Sequence, residues 1–327
     1  MLKVLFVTGA TRSGTTLLDR LLGTLPGFWS TGELLPHLDQ FLEERVRCGC
    51  GCIASQCSFW GEIRREFLRN IPLDQIRDFV RDFTPSRLTG KIRLKGLTLN
   101  ERMIREIRYA NLVTTLYSLI FEKSRINVLV DSSKSPFFAE FLAGIPQLDL
   151  YVIHVVRDPR GVAYSWSRKK FDELAGRYMQ RKSVLSSAVH WVRYNRGAEK
   201  LKAILGQRMV FVKYEDLAFR WNIVLESALK DLGLHTSVRT AYQPDAVLPN
   251  EGVVLGVAHT AGGNPSRAKT GHISIRLDTD WKHHFPLWKQ LCVVAIAGPL
   301  MYRYGYVTSP RLLGFGSIPR SAKGEGQ

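Results

Sequence analysis

The residues best able to do chemistry lie near the start of the chain. Residues 4–22 read VLFVTGATRSGTTLLDRLL: an apolar run, a loop bounded by Gly9 and Gly14, then a segment carrying Leu17, Leu18, Leu21 and Leu22 at helical spacing. A loop that opens a helix leaves the amides of the first turn without intrahelical partners, and the helix dipole adds positive character there. Ser13, Gly14, Thr15 and Thr16 are thus placed to donate to phosphate or sulfate oxygens. The two glycines have Walker A spacing, but Thr15 occupies the lysine position and the cation comes earlier, at Arg12. The same pattern would also suit a plain strand–turn–helix in which Gly14 permits the turn and the hydroxyls cap the helix. Arg12 inside the loop favours an anion over that reading, and an anion other than ATP.

Elements must hold such groups together, and four β-branched or aliphatic runs supply them: Leu2 to Val7, Ile126 to Val130, Leu150 to Val156 and Met209 to Val212. Helical patterns lie between and after them, at residues 98–123, 183–205 and 217–232. This alternation predicts an α/β fold, a P-loop-like parallel sheet flanked by helices on both faces. Ligands of such sheets bind beyond the carboxyl ends of the strands. There the sequence places Gly9 to Thr16, then Asp131 to Pro136 with Lys134, then Arg157-Asp158-Pro159-Arg160, then Tyr214-Glu215-Asp216. No linker divides the body, so residues 1–310 are expected to form a single domain. Residues 311–327 lose periodicity and turn Gly-, Ser- and Lys-rich, as a disordered basic tail does.

With 46 Lys+Arg against 29 Asp+Glu, the 327-residue chain carries a net charge of +17, which favours anionic partners without choosing among them. No apolar run reaches membrane-spanning length; residues 291–300 are too short and are expected to form a core helix segment ending near Pro299. Peripheral membrane contact stays open. A probable-strand start without a signal pattern leads to the expectation of a cytoplasmic protein. Cys48, Cys50, Cys52 and Cys57 are clustered within ten residues and could hold zinc or pair as disulfides. Their CxCxC spacing differs from paired CxxC knuckles and no histidine is near in sequence, so free thiols or one redox-sensitive pair are at least as well supported.

The segments TRSGTTLL (11–18), VVRDPRGVAYS (155–165), KYEDL (213–217) and HTAGGNPSR (259–267) together resemble, in order and approximate spacing, the sulfotransferases that use 3′-phosphoadenosine 5′-phosphosulfate (PAPS). The resemblance covers about Leu2 to Tyr306 and is strongest to the bacterial, tyrosylprotein and carbohydrate branches, whose first loop is RSGTT or RSGSS. It implies that Arg12, Ser13, Gly14, Thr15 and Thr16 form the 5′-phosphosulfate loop. Arg157 and Ser165 match the pair that grips the 3′-phosphate, Tyr214 a nucleotide-contacting tyrosine, and Gly263, Asn264 and Arg267 the late loop that closes over the nucleotide.

Sulfuryl transfer places negative charge on the bridging oxygen as it leaves, so cations beside that oxygen lower the barrier. Arg12 is the first candidate and Lys134, supported by resemblance to the tyrosylprotein branch, the second. The acceptor must lose a proton, and the segment STGELLPHL (30–38) resembles the element that carries the general-base glutamate, here Glu33; His37, one turn on, is the fallback. PAPS would be a co-substrate leaving as 3′,5′-adenosine bisphosphate, with no metal expected. Two other readings of the residues stay open: an atypical P-loop kinase, against which Thr15 argues, and a non-catalytic binder of nucleic acid or another polyanion, for which no recognisable module is present, so no nucleic acid is expected. The acceptor, whether small molecule, lipid, glycan or peptide, and the oligomeric state are beyond the sequence.

Overall fold

The computed structural model describes residues 1–84, 93–174, 176–234 and 252–308. The expected tail at 311–327 lies outside them. Near the N-terminus come β1 (Leu2–Thr8), α1 (Thr15–Leu22), β2 (Phe28–Ser30), α2 (Leu38–Leu42), α3 (Trp60–Asn70) and α4 (Leu73–Phe83). The middle holds α5 (Leu99–Ser124), β3 (Val128–Lys134), α6 (Pro136–Ala143), β4 (Leu148–Val156) and α7 (Pro159–Ser167). After a two-residue-stranded hairpin, β5 (Phe171–Asp172) with β6 (Arg177–Tyr178), follow α8 (Val184–Leu205), β7 (Met209–Lys213) and α9 (Tyr214–Asp231). The last elements are β8 (Val253–Leu255), β9 (Gly271–Ile273), α10 (Trp281–His284) and α11 (Leu287–Arg303).

Five strands form one sheet in the order β2-β3-β1-β4-β7, and every pairing in it is parallel. Alternate residues of β1 serve opposite faces: Val4 and Phe6 pack into one core with Leu129, Leu150 and Val152, while Leu5 and Val7 pack into the other with Val130, Ile153 and Val155. A strand segment buried on both faces is apolar, which is why Val4 to Val7 of β1 read as an unbroken hydrophobic run. The longest helix, α5, starts where the sequence marks it. Thr98 accepts from the Glu101 amide while Glu101 reaches back to the Thr98 amide, a reciprocal capping box.

The described residues fall into two compact units. The larger holds the five-stranded sheet and comprises residues 1–157, 169–180 and 194–277. The smaller comprises residues 158–168, 181–193 and those from 278 on. Within it Asp158 caps α7 through the Arg160 amide and takes two further bonds from the Arg160 guanidinium, at 3.0 and 2.7 Å, while Arg160 also stacks on Trp281.

Several expected boundaries shift. Residues 131–134 continue β3 rather than forming a loop, because Thr8 and Lys134 still pair across the sheet. The short strand β2, unmarked by any long apolar run, adds an edge. Pro299 does not end the last helix, which runs through it to Arg303. Among the described residues no helix is long and apolar enough to cross a membrane.

Candidate active site

The carboxyl ends of β1, β3, β4 and β7 deliver the loop residues to one edge of the larger unit, since Thr8 pairs with both Lys134 and His154, and Val156 pairs with Lys213. Gly9, at φ 151°, crosses β4 so closely that a Cβ there would lie 2.3 Å from the Val155 carbonyl oxygen. Thr15 begins α1 one residue after Gly14, which adopts a left-handed conformation with no side-chain cap. The amides at the start of α1 therefore stay available to an anion. Ser13 is fully buried, and its Oγ has no hydrogen-bond partner among the described residues. A buried hydroxyl at a helix N-terminus without a partner is the arrangement an incoming oxyanion satisfies. Thr15 is 2% exposed, and no lysine stands in its place.

Tyr214 opens α9 and seals the loop from one side. Gly14, at φ 89°, faces its ring so closely that a Cβ would lie 2.4 Å from Cδ2. Arg157, leaving β4, stacks its guanidinium 4.5 Å from the centre of the same ring and donates from Nη1 to the Arg12 carbonyl at 3.3 Å. Gly14, Tyr214 and Arg157 thus form one layered unit, the three residues coming from three different strand ends. Ser165 lies half-buried on α7, in the smaller unit. Arg168, just after α7, is exposed and pairs with Asp280 at 3.4 Å.

On the far side of β3 lies a charged cluster. Lys134 and Glu33 form a salt bridge with side chains only 6% and 13% exposed. Burial alone would push the Glu33 carboxyl up, but the Lys134 charge, with help from His37 and Arg267, outweighs it and holds the group below the usual carboxylate range. Burial pushes the His37 imidazole down from its ordinary value, with Glu33 opposing. Arg12 is also depressed by burial and held charged by Glu33, which ties the first loop electrostatically to this cluster. Arg12 and Lys134 share an unusual backbone: both have positive φ, 77° and 65°, without being glycine. Such conformations cost about 1–2 kcal/mol and tend to occur where function holds them.

The late loop is annealed onto Glu33. The Ala261 amide donates to the Thr31 carbonyl and the Glu33 amide to the Gly262 carbonyl, at 2.8 and 3.2 Å. Gly262 and Gly263 have no room for side chains, since a Cβ on either would press against His37 or Glu33. Asn264 caps the following turn through the Ser266 amide and accepts from Lys170 at 2.7 Å, so its side chain is engaged within the loop. Arg267 is 2% exposed; its Nη2 donates to the Arg47 carbonyl at 2.8 Å. Arg20 on α1 went unmarked in the sequence, yet its guanidinium reaches the carbonyls of Gly256, Arg267 and Lys269 and fastens this loop to the first helix. No sequence signal short of the tertiary contact distinguishes it from a surface arginine.

Two buried acids also emerged only from the fold. Asp19 is pushed up to about 7 by burial, opposed by hydrogen bonds from Ser30 and Ser132 and reinforced by the nearby Asp131. Asp131, pushed up to about 6 chiefly by burial, accepts from the Ser133 amide and the Tyr117 hydroxyl. His154 is a structural residue bonded to Asn195 at 2.8 Å, and Trp191 is a fully buried core aromatic.

None of the curated proteins matches the chain in sequence. Among solved structures, the sulfotransferase domain from the Synechococcus PCC 7002 olefin synthase is similar at a TM-score of 0.50 and 20% identity, over 92% of this chain and 94% of that one. The sulfotransferase domain from the curacin biosynthetic pathway aligns over 92% of this chain and 98% of that one, at 18% identity and a TM-score of 0.47. Sulfotransferase STF1 from Mycobacterium tuberculosis H37Rv aligns over 74% and 70%, at 17% identity and a TM-score of 0.46. The family model described as "Sulfotransferase family" matches residues 5–237, most of the chain, and the chain belongs to that family.

Proposed function

We propose that the chain transfers the sulfuryl group of PAPS to an acceptor hydroxyl, or an amine. The observation that carries this reading is the buried Lys134–Glu33 pair beside a phosphate-binding loop that holds arginine instead of lysine. A cation and a carboxylate held side by side supply the two proton and charge requirements of the reaction. The donor site also fits: Ser13 Oγ awaits an acceptor, Gly14 leaves the loop open beside Tyr214, and Arg157 is fixed on that ring.

The loop amides, Ser13 and Thr16 bind the sulfate and 5′-phosphate oxygens, and Arg12 neutralises them. Arg157 and Tyr214 hold the nucleotide portion. As the S–O bond to the 5′-phosphate breaks, the electron pair goes to the bridging oxygen, and Lys134 leaves Glu33 to donate a hydrogen bond there. Glu33, released from its partner, regains basicity because burial now raises it, and takes the proton of the attacking hydroxyl as the new S–O bond forms. The products are the sulfated acceptor and 3′,5′-adenosine bisphosphate. Arg267 and the Gly262–Gly263 segment keep Glu33 in place.

The test is label transfer. Purified chain incubated with PAPS labelled in its sulfate, over a panel of phenolic, glycan, lipid and peptide acceptors, should move label to at least one class and release the bisphosphate in equal amount. ATP with Mg2+ should phosphorylate none of them. Phosphoryl transfer from ATP without sulfuryl transfer would assign the chain to a kinase-like reaction.

A further inference from the structure

The folded chain brings clustered cysteines to a histidine 202 residues beyond the last of them. Cys48, Cys50 and Cys57 meet His259, and their Sγ and ring-nitrogen atoms all lie within 4.8 Å of one another. The Cys57 sulfur lies 3.7 Å from that of Cys50 and 3.8 Å from that of Cys48. His259 Nδ1 lies 3.1 Å from the Cys57 sulfur and 3.9 Å from the Cys48 sulfur. Tetrahedral Zn2+ with ordinary bond lengths would set sulfurs about 3.8 Å apart and sulfur and nitrogen about 3.6 Å apart. A disulfide would use two sulfurs and leave the third and the imidazole unexplained. Here Cys57 is nearly equidistant from both other thiols.

We infer that Cys48, Cys50, Cys57 and His259 form a structural zinc site. The backbone around them is preset. The Gly51 amide closes a turn onto the Cys48 carbonyl at 2.9 Å, the Cys48 amide donates to the Cys52 carbonyl at 2.8 Å, and Gly51 adopts φ 91°. Trp60 Nε1 donates to the His259 carbonyl at 2.7 Å, and the imidazole lies beside the stacked rings of Trp29 and Phe59, 6.0 and 5.9 Å away. Cys48 and Cys57 are buried and Cys50 and His259 partly buried, with aromatic rings packed against the histidine side. The sulfur of Cys52 is not in the cluster, which assigns the last cysteine of the CxCxC run no part in it.

Four protein ligands leave no open position, so the metal is structural and takes no part in transfer. Its effect is mechanical: it joins residues 48–57 to His259, three residues before Gly262. The Gly49 amide, bonded to the Thr260 carbonyl at 2.9 Å, and Arg267, bonded to the Arg47 carbonyl at 2.8 Å, complete the same seam. The Arg267 guanidinium thus lies one residue along the chain from Cys48, where positive charge offsets that of three thiolates around one dication. The zinc site is a clamp that sets the late loop against Glu33.

The full chain, expressed with zinc in the medium and purified without chelator, should carry about one zinc per chain by mass spectrometry of metals. Cobalt substituted for it should give intense tetrahedral d–d bands and thiolate-to-cobalt charge transfer. Cys57→Ser and His259→Ala should lose the metal, whereas Cys52→Ser should keep it. If Cys57→Ser does not fold, a mercurial titration of the unmodified chain decides the matter, with zinc released in step with three thiols. Zinc below a tenth of an equivalent in the unmodified chain, an octahedral cobalt spectrum, or metal loss in Cys52→Ser equal to that in Cys57→Ser would each overturn the assignment.

Discussion

Lys134 and Glu33 are joined by a buried salt bridge although they lie 101 residues apart and belong to different strand ends. Burial would push the Glu33 carboxyl up, and the Lys134 charge holds it below the usual carboxylate range. A pair of this kind is costly to break by removing one member, typically about 3–5 kcal/mol. Replacing both members by apolar residues is often neutral or stabilising, so a buried pair at the edge of the first loop points to chemistry more than to stability. In the proposed reaction, donor binding would give Lys134 a second anion, and Glu33 would gain basicity as the pair separates.

Glu33→Gln keeps the shape of the side chain and removes the base. Affinity for 3′,5′-adenosine bisphosphate should stay within a few-fold, while transfer falls by about 10²–10⁴. Lys134→Met should lower kcat by about 10²–10³ through loss of leaving-group stabilisation. His37→Gln should leave most activity; loss equal to that of Glu33→Gln would make His37 the base. Steady-state kinetics with a single acceptor separates the three.

Gly14→Ala should damage the nucleotide site directly. The position has φ 89° and its Cβ would meet the Tyr214 ring at 2.4 Å. Left-handed backbone alone costs about 1–2 kcal/mol, and displacing Tyr214 also unseats Arg157. Bisphosphate affinity should fall by at least about tenfold, by calorimetric titration. Unchanged affinity would remove Tyr214 and Arg157 from the binding site.

Arg20→Met removes a guanidinium that serves three carbonyls. Leaving such groups unpaired should cost about 3 kcal/mol or more. The late loop should also open to protease before the sheet unfolds, as limited proteolysis followed by mass spectrometry would reveal. Arg20→Lys should recover part of the loss.

Asp19 gives the fold a pH dependence of definite sign. Its carboxyl sits near 7 in the folded chain against an ordinary 3.8, so the protonated form is favoured by folding. That contribution is complete below pH 3.8 and is lost as pH rises through about 7. Asp19→Asn cannot ionise, so its stability relative to the unmodified chain should rise by up to ~4 kcal/mol across that window. Urea denaturation of both chains from acid to mildly alkaline pH measures it. A constant difference at all pH values would mean that Asp19 is not buried as described.

Much of this arrangement could be read before the fold was known. The four main strands, α1, α5 and α8 follow from local apolar pattern, and the polar loops follow from the strands because a parallel sheet puts their ends together. Glu33 and Lys134 were marked as base and cation, but their pairing was not. It depends on β2, a strand of three residues that local pattern does not announce. His259 was hidden for the same reason: it is 202 residues from Cys57, and a search for ligands near in sequence passes over it. Arg20, Asp19 and Asp131 carry no local sign of burial, which only the packing of α1 against β2 and β3 imposes.

The loop at Arg12 and the stacked Arg157 are proposed to serve a bisphosphate nucleotide instead of ATP. Calorimetric titration of the purified chain with 3′,5′-adenosine bisphosphate and, separately, with ATP and Mg2+ tests it most directly. The bisphosphate should bind once per chain, at least about tenfold more tightly than ATP–Mg2+, and Arg157→Ala should weaken it by about tenfold or more. Tight binding of ATP–Mg2+ with no heat from the bisphosphate would contradict it.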